Sequence, residues 1–130
     1  MSKSHITPGK LVVTGSIIPE LHYGPYLRDW WVFPKEKTQN YPIPLRLGLE
    51  VMIQLNNNPF IIRIVRNVHS FLQPGYICEG KGQSSGINTS ASAAITSVYQ
   101  SVFGSKTKYA GLSYLGIDQP ETAQKLLEGI

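Results

Sequence analysis

Cysteine is almost absent from this 130-residue chain, which contains only Cys78. A lone cysteine cannot form an internal disulfide, and it lacks the second thiolate of a cysteine-based zinc site. The three histidines, His5, His22 and His69, lie far apart in sequence, and none has a partner at ligand spacing. These absences favour a reducing intracellular compartment and predict neither a metal nor another cofactor.

Long apolar runs are also missing, and charge is sparse. No run approaches the roughly 20 apolar residues that span a bilayer, and the first ten residues contain no apolar segment typical of a secretion signal. Hydrophobic residues make up 42% of the sequence and charged residues 15%, a composition that excludes a disordered tail. We therefore expect a flexible N-terminus at residues 1–9 and one soluble domain at residues 10–130, without a membrane segment.

No group of residues predicts catalysis. The carboxylates are isolated in sequence and indicate no acid–base pair, and the apolar strand context of Cys78 favours a buried structural thiol over a nucleophile. Residues 80–86 are rich in glycine, but a P-loop closes with Gly-Lys-Ser/Thr, whereas Lys81 comes second here. We interpret this segment as a flexible connection and leave open whether it binds an anion. The protein is not expected to be an enzyme, and no catalytic, cofactor-binding or metal-binding residue is predicted.

Two strand-like runs give the clearest structural signal. Residues 49–55 and 60–66 flank Asn56-Asn-Asn-Pro59, a turn-forming sequence that predicts an antiparallel hairpin. In the first run, alternate positions from Leu49 to Leu55 are apolar, so one face meets a core and the other can meet water. Shorter strands are predicted at residues 10–14, 29–33, 76–78 and 112–115.

The C-terminal part changes to helical periodicity. Apolar positions within residues 90–103 recur at spacings of three and four, with Thr89 or Ser90 as N-cap and Gly104 at the end. A second helix is predicted after Asp118, with three apolar positions facing inward, Ala123, Leu126 and Leu127. Because strands precede helices, we expect an α+β fold, an antiparallel sheet with a central hairpin packed by two C-terminal helices.

Aromatic residues are concentrated between positions 23 and 33. If residues 29–33 form a strand, Trp30 and Trp31 point to opposite faces, so at least one belongs to the core. Twelve Lys and Arg against eight Asp and Glu give a net charge of +4 and a pI near 9.3, which mildly favours anionic partners. The basic residues are scattered rather than clustered. The candidate interaction surface consists of Tyr26, Trp30, Trp31, Phe33, Lys106, Lys108 and Tyr109.

The order of short motifs resembles a known family. In the N-terminal half, Gly15-Ser-Ile-Ile, His22 and Val32-Phe-Pro34 are similar to the FYRN segment of the FY-rich domain. In the C-terminal half, the similarity to the FYRC segment lies in Ser90, Ala93, Ala94, Tyr109-Ala-Gly111, Tyr114-Leu-Gly116, Pro120 and Leu126-Leu127. The FYRN-like part covers residues 10–48 and the FYRC-like part residues 75–130.

The resemblance implies a nuclear protein with a compact α+β module formed by both segments together. It also implies a role in chromatin-linked assemblies, such as histone-methyl-modifying or transcription-regulating complexes, in which other domains perform catalysis. The leading hypothesis is therefore a non-catalytic protein-interaction module or small subunit of a nuclear complex. The alternative is direct nucleic-acid binding, for which we expect only weak, non-specific contact with DNA. A small enzyme using residues 80–86 ranks third, and the oligomeric state is left open.

Overall fold

A computed structural model describes residues 9–32, 42–104 and 120–128. Strands β1 to β7 are Lys10–Val13, Trp31–Val32, Ile43–Pro44, Glu50–Leu55, Asn58–Asn67, Ser70–Gly80 and Gln83–Ser84. Helices α1 to α3 are Pro19–His22, Ala91–Phe103 and Pro120–Leu127, and a 3₁₀ helix spans Leu27–Trp30. The main sheet is antiparallel with the order β1-β4-β5-β6-β7, and β2 pairs with β3. The predicted α+β fold is confirmed.

The central hairpin of β4 and β5 follows the prediction closely. Asn56 and Asn57 form its two-residue turn with φ of 50° and 64°, the left-handed geometry that matches the twist of paired strands and that asparagine tolerates. Val51, Ile53 and Leu55 are buried as the alternation predicts. The other face of the hairpin is more exposed, so the core lies on one side of the sheet.

Strand β6 is much longer than the predicted strand at 76–78, and its pairing with β5 is interrupted by a bulge of three residues. Arg66 pairs with Pro74, whereas the next residue of β5, Asn67, pairs with Ser70, so residues 71–73 have no counterpart on β5. We call residues 71–73 the β6 bulge. Proline has no N–H for the ladder, and a strand tolerates it where pairing is already interrupted.

Helix α2 lies on the core side of the sheet against β6. Ser90 caps it by accepting a hydrogen bond from Ala93 N at 3.1 Å, and Gly104 ends it in the left-handed conformation with φ of 65°, as predicted. Helix α3 packs against β3 and contributes Ala123 and Leu126 to the core. Within the described residues, no helix has the length and apolarity needed to cross a membrane.

Three local predictions differ from the structure or lie outside it. Instead of a strand at 29–33, a 3₁₀ helix leads into the two-residue strand β2. Residues 80–86, predicted to be a flexible connection, form a tight hairpin through Lys81 and Gly82 into β7. That segment is therefore paired with β6 over its first part. The strand predicted at 112–115 lies outside the described residues.

Candidate functional site

The helical segment 19–30, which contains α1 and the 3₁₀ helix, is anchored by the fully buried His22. Its Nδ1 accepts a hydrogen bond from Ile18 N at 3.0 Å, and its Nε2 lies 2.9 Å from the Leu45 carbonyl oxygen. With Nδ1 accepting from Ile18 N, Nε2 is the ring nitrogen that donates to Leu45. His22 therefore connects the helical segment to the chain after β3 and has a structural role.

Trp30 is completely buried, with an exposed fraction of 0%. Its indole Nε1 donates to the Leu72 carbonyl oxygen in the β6 bulge at 2.8 Å. The prediction that Trp30 belongs to an interaction surface is therefore wrong, because the ring packs in the core and its polar edge is already paired. Trp31 is half-buried, and its Nε1 donates to the His22 carbonyl oxygen at 2.8 Å.

Side chains also attach the helical segment to the β6 bulge. The Arg66 guanidinium pairs with the Glu20 carboxylate at 2.7 Å and donates to the Phe71 carbonyl oxygen at 3.0 Å. Gln73 Nε2 donates to the Asp29 carboxylate at 3.1 Å. With the Trp30 indole bond, every residue of the bulge is thus hydrogen-bonded outside the sheet ladder. The bulge and the helical segment are held together as one surface.

This joint surface and the adjoining β5–β6 turn carry most of the exposed large hydrophobic side chains of the described residues. The described part of the chain has eight of them, and three lie elsewhere, Val12 and Val13 on β1 and Ile87 before α2. The most exposed of all is Phe71 in the bulge, at 66%. Clustered apolar side chains of this kind mark interaction sites. We call the remaining five the aromatic patch: Tyr23, Tyr26, Leu27, Val68 and Phe71.

Only part of the interaction surface predicted from the sequence lies in the aromatic patch. Tyr26 lies in it and Trp31 lies beneath Tyr23, with ring centroids 6.0 Å apart. The sequence reasoning missed Val68 and Phe71, although a large aromatic residue between a polar turn and a Pro-Gly pair was a usable signal. Four predicted surface residues lie outside the described residues: Phe33, Lys106, Lys108 and Tyr109.

Reactive groups in the described ranges are occupied or shielded. Burial, and secondarily the charge of Glu79, raises the pKa of the Cys78 thiol to about 12, so the thiol stays protonated near neutral pH. In the 80–86 hairpin, Ser85 Oγ accepts from Cys78 N at 2.9 Å and Ser84 Oγ accepts from Gly86 N at 3.1 Å. The hydroxyl oxygens of the two serines are therefore already occupied by backbone N–H groups of β6 and of the hairpin. No three His, Cys, Asp or Glu residues of the described chain are grouped so as to hold a metal ion.

Three arginines are engaged within the protein. Arg63 pairs with Glu50 at 3.1 Å and with Glu79 at 3.3 Å on the outer face of the sheet, and Arg66 pairs with Glu20. Arg46 donates to two backbone carbonyls at the C-terminal end of α3, at 2.9 and 2.6 Å. These guanidinium groups are consequently not arranged as a free basic stripe along one face.

Comparison of the chain with protein-family models, with curated proteins and with solved structures found no match. The fold class is established by the structure, and the strongest functional feature on the described surface is the aromatic patch.

Proposed function

We propose that this protein is a non-catalytic protein-interaction module whose contact surface is the aromatic patch. The observation that carries the proposal concerns the eight exposed large hydrophobic side chains of the described residues. Four of them lie on two segments that are hydrogen-bonded to each other, and a fifth, Val68, lies in the adjoining β5–β6 turn. Aromatic side chains are enriched at protein interfaces, where a few of them supply most of the binding energy.

The hydrogen bonds around the patch support this assignment. Binding costs less conformational entropy when the contact residues are already held in place. The buried Trp30 indole fixes the bulge carbonyl next to Phe71, and the Arg66–Glu20 pair fixes the start of α1. A patch supported in this way presents Phe71 and Tyr26 from a fixed backbone.

The wider setting of the proposal comes from the FY-rich resemblance. It supports a role as a small subunit of a nuclear complex that acts on chromatin or regulates transcription. The aromatic patch joins residues 23–27, in the middle of the FYRN-like part (residues 10–48), to the segment that precedes the FYRC-like part. In this proposal, the partners are other protein subunits of that complex.

Direct nucleic-acid binding is less well supported. The engaged arginines described above favour at most weak association with DNA, with a Kd no tighter than about 10⁻⁶ M at physiological salt, the order of non-specific electrostatic binding. A titration of labelled duplex at two salt concentrations measures it. Nanomolar, sequence-dependent binding that persists at physiological salt would favour the nucleic-acid alternative over the interaction module.

Affinity purification from nuclear extract with quantitative mass spectrometry tests the proposal. A Tyr26→Ser/Phe71→Ser double variant removes two aromatic contacts, and its matched control, Val12→Ser/Ile87→Ser, removes two exposed apolar side chains outside the patch. Loss of a hot spot of at least about 2 kcal/mol corresponds to roughly 30-fold weaker binding. We expect the patch variant to lose its specific partners and the control to keep them. Equal recovery by both variants would refute the patch assignment.

A further inference from the structure

The β6 bulge opens a polar cavity between the main sheet and the helical segment. Because residues 71–73 have no partners on β5, the two strands separate there and leave a volume of about 210 Å³. Its polar lining includes Asp29 from the 3₁₀ helix, Asn67 from β5, Gln73 and Tyr76 from β6, and Thr89 before α2. The cavity adjoins the aromatic patch, because Asp29 and Gln73 belong to the same two segments.

Two unpaired polar groups form the floor of this cavity. Asn67 and Tyr76 are only 9% and 6% exposed. Asn67 Oδ1 accepts from His69 N at 2.8 Å, which identifies the other amide atom as Nδ2, a donor of two N–H bonds. Neither Nδ2 nor the Tyr76 hydroxyl has a hydrogen-bond partner among the described residues. No polar side-chain atom in that part of the chain is fully buried without a partner, so both groups are accessible to solvent, and both residues line the cavity.

The rim supplies an acceptor. One oxygen of the exposed Asp29 carboxylate accepts from Gln73 Nε2 at 3.1 Å, and the other has no partner within the described ranges. Burial, and secondarily the charge of Asp29, raises the pKa of Tyr76 to about 12. The phenol is therefore a neutral donor at physiological pH, and Asp29 lies close enough to influence it. The cavity thus has donors at its floor and a carboxylate at its rim.

This arrangement discriminates among ligand groups. An ammonium or guanidinium group has donors only, so it could pair with Asp29 but would leave the N–H groups of Asn67 without an acceptor. A carboxylate has acceptors only, and the charge of Asp29 would repel it. A primary carboxamide has both a carbonyl oxygen and an NH₂ group, and it is uncharged, so its desolvation costs less.

We propose that this cavity receives one glutamine or asparagine side chain of the protein partner. The side-chain carbonyl oxygen accepts from Asn67 Nδ2 and the Tyr76 hydroxyl, and the NH₂ group donates to Asp29. The volume suits a single side chain, since small-molecule pockets are larger, roughly 300–1,000 Å³. The inference rests on the proposed function only in assigning the carboxamide to a protein partner.

Short peptides test the cavity without knowledge of the partner. The series N-acetyl-Gly-Xaa-Gly-N-methylamide, with Xaa as Gln, Glu, Lys or Met, varies only the side chain, so the Gln peptide alone carries a primary carboxamide. The Asn67 side-chain NH₂ signals in ¹⁵N correlation spectra report on the cavity. One matched hydrogen bond is worth about fivefold in affinity. We expect the Gln peptide to shift these signals saturably and to bind at least about fivefold tighter than the other three. A tighter Lys peptide, or no shift with any peptide, would overturn the proposal.

Two variants give a second test, in which the side-chain NH₂ signals of Gln73, another lining residue of the cavity, report binding because Asn67→Asp removes the Asn67 signals. Asn67→Asp keeps the shape and the acceptor for His69 N but replaces the donor by an acceptor, so the preference should change from the Gln to the Lys peptide. Tyr76→Phe keeps the ring and should weaken the Gln peptide about fivefold. An Asn67→Asp protein that still prefers Gln would contradict the assignment. If the Asn67→Asp protein does not fold, Tyr76→Phe remains as the test, and an unchanged affinity for the Gln peptide in that variant would contradict the assignment.

The outcomes separate this proposal from the proposed function. Phe71 lies in the aromatic patch, outside the polar lining of the cavity. Phe71→Ser should therefore reduce the recovery of protein partners and leave binding of the Gln peptide unchanged. Partner recovery that is insensitive to Phe71, combined with the expected peptide preferences, would remove the patch assignment and keep the cavity. Loss of partners with Phe71→Ser, without a Gln preference, would remove the cavity assignment alone.

Discussion

The two tryptophans allow a matched test of the arrangement that supports the patch. Trp30→Phe and Trp31→Phe make the same chemical change at adjacent positions. Trp30 is fully buried and bonded to Leu72 in the bulge, whereas Trp31 is half-buried and bonded to His22 in α1. The structure therefore predicts that the first change destabilises the protein much more than the second.

The magnitudes follow from burial and hydrogen bonding. Replacing a buried indole by a phenyl ring removes about three heavy atoms, worth about 2 kcal/mol of burial at roughly 0.8 kcal/mol per methylene-sized group. The unpaired Leu72 carbonyl oxygen adds about 1 kcal/mol, at the lower end of the usual range because Leu72 is half-buried. We expect a loss of about 3 kcal/mol for Trp30→Phe and about 1.5 kcal/mol for Trp31→Phe. A domain with about 5–15 kcal/mol of stability remains folded in both cases.

Urea unfolding followed by circular dichroism measures both losses, and an unchanged slope with denaturant confirms that the unfolded states are comparable. Because the chain has only two tryptophans, each variant retains one fluorescent reporter. Trp30, alone in Trp31→Phe, should emit at shorter wavelength and resist quenching by iodide better than Trp31 does in Trp30→Phe. Equal stability losses, or equal quenching of the two indoles, would refute the buried position of Trp30.

Two further predictions concern the core beneath the sheet. Folding raises the pKa of Cys78 from 9.0 to about 12, so the unfolded chain loses the thiol proton at lower pH than the folded protein does. The free energy of unfolding should therefore be unaffected by this thiol below pH 9. From about pH 9 upward it should fall by up to about 1.4 kcal/mol per pH unit. Urea unfolding at pH 8 to 10 should show a shallower decline for Cys78→Ala, and parallel declines would contradict the prediction. A Cβ at Gly80 would overlap the Phe60 ring, so Gly80→Ala should cost about 1–3 kcal/mol, and an unchanged melting temperature would show that the ring moves freely aside.

Local sequence signals were sufficient where a structure depends on local chemistry. The Asn56-Asn57 turn and the alternation around it predicted the central hairpin, because turn type and strand period are properties of neighbouring residues. Helix α2 was predicted with both ends, since Ser90 and Gly104 act through their own backbone neighbourhood. From these elements the α+β fold followed without long-range information.

The candidate site was not predictable in the same way. The sequence placed at least one of Trp30 and Trp31 in the core but could not say which, because the acceptor of Trp30, Leu72, is 42 positions away. The exposure of Phe71 depends on the strand register, which breaks between Arg66 and Asn67. Sequence periodicity carries no information about such long-range pairings, so the patch could be located only in the folded structure.

The bulge is the structural cause that connects stability, the patch and the cavity. Pro74 cannot donate to β5, so regular pairing cannot continue through it unaltered, and the three preceding residues must find partners elsewhere. They find them in Trp30, Arg66 and Asp29, two of which belong to the helical segment. Because the Leu72 carbonyl oxygen and the Gln73 side chain are hydrogen-bonded to that segment, we expect the exposed Phe71 and the open cavity to exist together only when the segment is docked. Damage to the docking contacts should therefore weaken both the recovery of protein partners and the binding of the Gln peptide, whereas a change at Phe71 should weaken partner recovery alone.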